Sequence, residues 1–146
     1  MRSRVAWALL VLAAAALLAA CAAPGATNAS AQGPQPVRVS GTVTWHERIA
    51  LPPDAQVIVR VQDVSRMDAL SVNLAEQRIA AQGRQPPFAF DLSVDPARID
   101  QRMRVTVSAR VESQGRLQFI SDTAYPVLTQ GAGPTAQLVL VRTGPR

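Results

Sequence analysis

From Val37 to Val141 apolar and polar residues mostly alternate with a period of two, the pattern of strands with one wet face. Val37, Val39, Gly41, Val43 and Trp45 share one side of the first stretch, and Arg38, Ser40, Thr42 and Thr44 share the other. Gly41 on the apolar side predicts a bulge or a close backbone approach. A loop follows at Pro52-Pro53-Asp54. The second strand is predicted over 56–64, with Val57, Val59 and Val61 inward and Arg60 and Gln62 outward. Alternation is poorer over 71–80, where Val72 and Leu74 lie on one row and Ala75 and Ile79 on the other. That row switch predicts a bulge or an edge strand. Phe88, Phe90, Leu92 and Val94 alternate cleanly with Ala89, Asp91 and Ser93 to give a fourth strand.

Asp95-Pro96-Ala97-Arg98-Ile99 carries a helix-start signature, with Asp95 as cap and Pro96 where a missing N–H costs nothing. The segment is long enough for one turn only. Met103, Val105, Val107, Ala109 and Val111 form the inner row of a fifth strand, followed by a hairpin turn at Glu112-Ser113-Gln114-Gly115. Leu117, Phe119 and Ser121 return on a sixth. Pro126, beside Tyr125, is excluded from a central ladder. A seventh strand over 136–141 has Leu138 and Leu140 on one face and Val139 and Val141 on the other. It is therefore expected to be covered on both sides or to lie near an edge partner. Strands at regular spacing with turn chemistry between them predict an all-β, antiparallel, immunoglobulin-like sandwich of about seven strands, with a small barrel second.

The N-terminal pattern is different. A basic start with Arg2 and Arg4 precedes an apolar run, Val5 to Leu18, rich in Ala and Leu, and small residues follow. This is the organisation of a secretory signal peptide. The rival reading, an uncleaved membrane helix, is weakened by the Ala-rich second half, because Ala contributes little transfer free energy. Ala22 to Pro36 holds Pro24, Gly25, Gly33, Pro34 and Pro36, no charge and no apolar periodicity, and reads as a disordered linker. The expected organisation is residues 1–20 as leader, 21–36 as tether and 37–142 as folded domain. Removing the first 20 of 146 residues leaves 126, enough for a single core.

Leu18-Ala19-Ala20-Cys21 resembles the lipobox of bacterial lipoproteins. The resemblance implies cleavage between Ala20 and Cys21, a diacylglycerol on the Cys21 sulfur and acylation of the new amino terminus. Two or more acyl chains anchor stably where one does not. Residue 22 is Ala rather than Asp, which by the same resemblance favours the periplasmic face of the outer membrane over the inner membrane.

Composition then removes function classes. Cys21 is the only cysteine and His46 the only histidine, so an internal disulfide cannot form and soft metal ligands are scarce. All 15 basic residues are Arg, and they are scattered singly from Arg38 onward, unlike a nucleic-acid-binding patch. Asp63, Asp68, Glu76, Asp91, Asp95, Asp100 and Asp122 fall at turns or on outward rows, where solvated charge outweighs acid–base chemistry. Neither a nucleophile triad around His46 nor a phosphate loop can be placed. No catalytic residue, cofactor or metal is expected.

Ser40-Gly41-Thr42-Val43-Thr44-Trp45, Arg48 to Ala55, Asp63-Val64-Ser65-Arg66, Pro87-Phe88-Ala89-Phe90 and Asp122 to Leu128 occur in the order and spacing of one family. The chain resembles the YbaY family of lipoproteins, related to the YscW-type lipoprotein chaperones of type III secretion. The resemblance implies a lipid-anchored, non-enzymatic protein with a binding or structural role in the cell envelope. An alternative is a pilotin, which binds the C-terminal segment of a secretin and carries it to the outer membrane. A third reading is a sandwich holding lipid or sugar between its sheets. The partners implied are the membrane, through the lipid on Cys21, and an envelope protein.

Overall fold

The computed structural model describes residues 33–144. The leader, Cys21 and most of the tether lie outside them. Eight strands form: β1 Val37–Trp45, β2 Gln56–Asp63, β3 Val72–Ala80, β4 Phe88–Val94, β5 Val105–Ser113, β6 Arg116–Ile120, β7 Tyr125–Pro126 and β8 Thr135–Arg142. One 3-10 turn, Pro96–Arg98, stands between β4 and β5, capped by the Asp95 carboxylate, which accepts the Ala97 N–H at 2.9 Å.

The all-β class holds, but the sandwich does not. The strands form one sheet in the order β3-β2-β5-β6-β8-β1-β4, with β7 pairing β5 beside this path. What joins the two expected sheets is β8, which runs parallel to β1 and antiparallel to β6. The two ends of the path, β3 and β4, come together without a backbone ladder. The Gln77 side chain on β3 accepts the Asp91 N–H of β4 at 2.9 Å across that seam. The result is a nearly closed barrel. Alternation tells which side chains face inward and does not tell which strands pair, so the sequence pattern suits both architectures.

One core fills the barrel, with contributions from Val39, Val43, Val57, Val59, Val61, Phe90, Leu92, Val107, Phe119, Leu138 and Leu140. Trp45 lies between Phe88 and Phe119, with ring centroids 5.8 and 4.8 Å away. Gly41 meets β8 closely: a Cβ there would sit 1.7 Å from the Ala136 carbonyl oxygen. Of the two expectations for Gly41, the structure realises the close approach.

Strand β3 is both bulged and at an edge. Val61 pairs Ala75 and Gln62 pairs Asn73, leaving Leu74 as the extra residue that switches rows. The β5–β6 turn is shorter than predicted. Glu112 and Ser113 belong to β5, and only Gln114 and Gly115 turn, with φ of 50° and 71°. A second bulge falls at Gln118, because Val111 pairs Phe119 while Glu112 pairs Leu117. Leu117 is therefore exposed instead of facing the core with Phe119.

Side-chain hydroxyls complete the ladder of β5 where its partners are interrupted. The Ala109 N–H donates to Ser121 Oγ at 3.1 Å, and the Val105 N–H to Thr129 Oγ1 at 3.2 Å. The Tyr125 hydroxyl does the same for β8, accepting from the Val139 N–H at 2.9 Å and donating to the Val139 carbonyl at 3.2 Å.

Candidate functional site

The residues singled out in the sequence scatter. Ala20 and Cys21 lie outside the described residues. His46 is exposed in the loop after β1. The acids hold structure: Asp63 accepts the Ser65 N–H at 2.9 Å, Asp100 the Arg102 N–H at 2.8 Å and Asp122 the Thr123 hydroxyl at 3.0 Å, while Asp95 caps its turn. Asp91 pairs with Arg38, whose Nε donates to it at 3.0 Å. Hydrogen bonding to Arg38 holds the Asp91 carboxyl below the usual range, and the same contact raises Arg38. Among the described residues no group of three His, Cys, Asp or Glu could hold a metal ion.

What the fold does assemble is an outer face on β2, β5, β6 and β8. Strand register lines up Arg78, Ile58, Arg110, Ile120 and Val141 in one row across five strands. Ile58 is on the outward side of β2, yet only 1 % exposed. It sits between arginines in the cross-strand positions on either side, and their apolar stems can cover it. Ile120 and Val141 form the adjoining pair, each 38 % exposed. Ile58, Arg110 and Ile120 of this row, with Arg60, Gln62, Ser108 and Ser121, line a surface cleft of about 280 Å³.

Charges frame the cleft. Arg60 Nε donates to Glu76 at 2.6 Å and Arg78 Nε to the other oxygen of the same carboxylate at 2.8 Å. The Arg60 hydrogen bond, opposed by desolvation and aided by Arg78, holds Glu76 below the ordinary carboxylate range. Arg110 Nε lies 2.7 Å from Glu112. Three arginines thus face two glutamates around an apolar floor. Such a surface suits a segment that presents apolar side chains with acidic ones beside them.

Ile58 left a legible signal along the chain, because Val57-Ile58-Val59 is three apolar residues where alternation allows two, but alternation alone does not mark it as part of a site. Of the outward pair on β8, Val139 is half-buried and Val141 stays exposed, on a strand that has β1 and β6 as its partners. A second cleft, about 480 Å³, lies under the loop after β1, between Trp45, Ile49, Gln85 and Pro86. Both clefts are at the surface, and the barrel interior is filled by side chains. That packing counts against a lipid or sugar held inside.

Residues 34–140 match the family of the type III secretion system lipoprotein chaperone YscW. The chain belongs to the YscW family. It is 41 % identical over 143 residues to the uncharacterized lipoprotein YbaY of Escherichia coli (strain K12), covering 89 % of this chain and 75 % of YbaY. Among solved structures it resembles an alternative pilotin from the type II secretion system of Vibrio cholerae. The TM-score is 0.71 and the identity 39 %, over 74 % of this chain and 97 % of the pilotin. Membership in the YscW family agrees with the resemblance carried by the Ser40 to Leu128 motifs, and the matched region, residues 34–140, takes in nearly all of the barrel.

Proposed function

We propose that this protein is a lipid-anchored lipoprotein of the bacterial envelope that works as a pilotin-like chaperone. In this reading residues 1–20 are removed, Cys21 carries the lipid, residues 21–36 form the tether, and the barrel binds a segment of a secretin at the periplasmic face of the outer membrane. The observation that carries it is the likeness to the Vibrio cholerae pilotin, at 39 % identity over 97 % of that chain. The reading is non-enzymatic and needs no cofactor.

The outer-face cleft is the proposed contact. An apolar strand or helix laid on Ile120 and Val141 would bury area now exposed, and its polar groups would meet the Arg60–Glu76–Arg78 and Arg110–Glu112 pairs. Ile120→Glu is the discriminating variant, because the side chain is partly exposed and its loss spares the core. It should abolish capture of the C-terminal segment of a secretin by the full-length protein without changing the denaturation midpoint. Secretin multimers that assemble normally in a deletion strain would refute the chaperone role. The second reading is a general envelope lipoprotein without a secretin partner, and the 41 % identity to the lipoprotein YbaY supports the lipoprotein character common to both readings. Both readings require the anchor, so Cys21→Ala should move the protein from the membrane fraction to the soluble periplasm.

A further inference from the structure

Among the described residues the two most exposed large apolar side chains are Met67, at 89 %, and Leu70, at 95 %, both in the loop between β2 and β3. Single exposed apolar residues are ordinary on a protein surface. These two share a short loop whose base is held firmly. The Asp63 carboxylate accepts both the backbone N–H and the hydroxyl of Ser65. The Arg104 N–H donates to Ser65 Oγ at 2.8 Å, and Gln62 Nε2 donates to Ser71 Oγ at 2.9 Å on the other side. The loop is fixed at both feet while its apolar tip stays off the barrel.

The topology puts this tip at the end of the barrel where the tether joins. Val37 at the start of β1 pairs Val94 at the end of β4. Asp63, ending β2, pairs Val105, beginning β5, and Val72, beginning β3. The 3-10 turn ties these together: Arg98 donates to the carbonyls of Asn73 at 2.8 Å and Leu74 at 3.1 Å. Val37, Pro96, Ile99 and Leu128 line one cleft at that same end. The β5–β6 hairpin and the loop after β1 lie at the far end.

We propose that the tether end of the barrel rests on the bilayer, with Met67 and Leu70 inserted among the lipid headgroups and upper acyl chains. The proposal rests on the reading of Cys21 as the lipid-bearing residue. On the same reading residues 22–36 are a coil, and a coil of that length would span about 20 Å on average. A folded domain of this size has a radius of gyration of about 13 Å, so the tether is shorter than the barrel is wide. An anchored barrel therefore meets the membrane most often with the end at which the tether enters. The charges of that end balance, with Arg66, Arg98, Arg102 and Arg104 against Asp63, Asp68, Asp95 and Asp100. The contact is thus apolar and insensitive to salt, and a lipid surface is its occupant.

The test uses the lipidated full-length protein with Leu70→Cys, labelled with an environment-sensitive fluorophore and reconstituted in phosphatidylethanolamine–phosphatidylglycerol vesicles. The native sulfur of Cys21 is consumed by its lipid, so the label reports position 70 alone. The expected result is a several-fold rise in emission with a blue shift, and quenching by doxyl-labelled acyl chains that persists at high salt. The same label on Arg116→Cys, at the far end, keeps its emission in water. Moved to Ala69→Cys in a Met67→Ser, Leu70→Ser background, the label should lose its quenching while the protein still floats with vesicles. Protein that floats but shows a water-like, unquenched label at position 70 overturns the proposal, and so does a blue shift without doxyl quenching, which indicates a protein occupant. Protein that neither floats nor resists labelling at Cys21 overturns the anchor and this orientation together, and flotation tells that failure apart from the others.

Discussion

Tyr125 illustrates how single residues hold this barrel. Its strand is two residues long, too short to pair β8, yet its hydroxyl takes both backbone groups of Val139. Tyr125→Phe keeps the ring and removes that bridge, leaving an N–H and a carbonyl unpaired. The expected cost is about 1–3 kcal/mol, read as a lower urea midpoint at unchanged m-value. Gly41 makes the opposite kind of contribution, through an absent side chain. Gly41→Ala drives a methyl into the Ala136 carbonyl and the Phe90 ring, so β1 and β8 must separate. A loss of about 1–3 kcal/mol or more is expected, with weakened hydrogen-exchange protection along the β1–β8 ladder. That Gly41 is special was legible, since a glycine interrupts an otherwise apolar row. Tyr125 was legible only as the neighbour of Pro126, because the partner of its hydroxyl lies in a strand that follows by a loop of unspecified path.

At the scale of elements, β3 is the strand most dependent on side chains. It is bulged at Leu74 and lies at an edge of the path, with β2 as its only ladder partner among the described residues. Arg98 holds the bulge by its carbonyls, Gln77 bridges to β4, and Glu76 binds Arg60 and Arg78. The Glu76 carboxyl is held below its ordinary value, first by the Arg60 hydrogen bond and then, against desolvation, by Arg78. Its contribution is therefore fully present above the unfolded value of about 4.3, and is lost as pH falls through the lower folded value. Glu76→Gln should lower stability at neutral pH by about 1 kcal/mol or less. It should also flatten the acid limb of the stability–pH curve, part of which remains because Asp91 is lowered by Arg38 in the same way. A variant curve parallel to wild type below pH about 4 would show that Glu76 does not titrate this way. The row switch over 71–80 announced the bulge. The shortened β5–β6 turn and the displaced Leu117 were not announced, because a bulge at Gln118 leaves no mark in a strand of five residues.

For the whole molecule, closure decides both architecture and site. The strand positions, the inward valines, the 3-10 turn with its Asp95 cap, and the motifs of the YscW family were readable along the chain, since each depends on local periodicity or local hydrogen bonding. Whether the strands form two sheets or one nearly closed barrel depends on β8 meeting both β1 and β6, a choice between distant partners that all present the same alternation. The outer-face cleft is a product of the same register. Ile58, Arg110, Ile120 and Val141 come from four strands and become neighbours only once those strands are paired. The sequence by itself determined that the domain is all-β, the inward rows of its unbulged strands, and the family, because a period of two and short motifs are properties of neighbouring residues. Only the tertiary structure decided the barrel, the arginine-framed apolar face and the placing of Met67 and Leu70 at the tether end, because these are juxtapositions that chain order does not encode until backbone hydrogen bonds choose their partners.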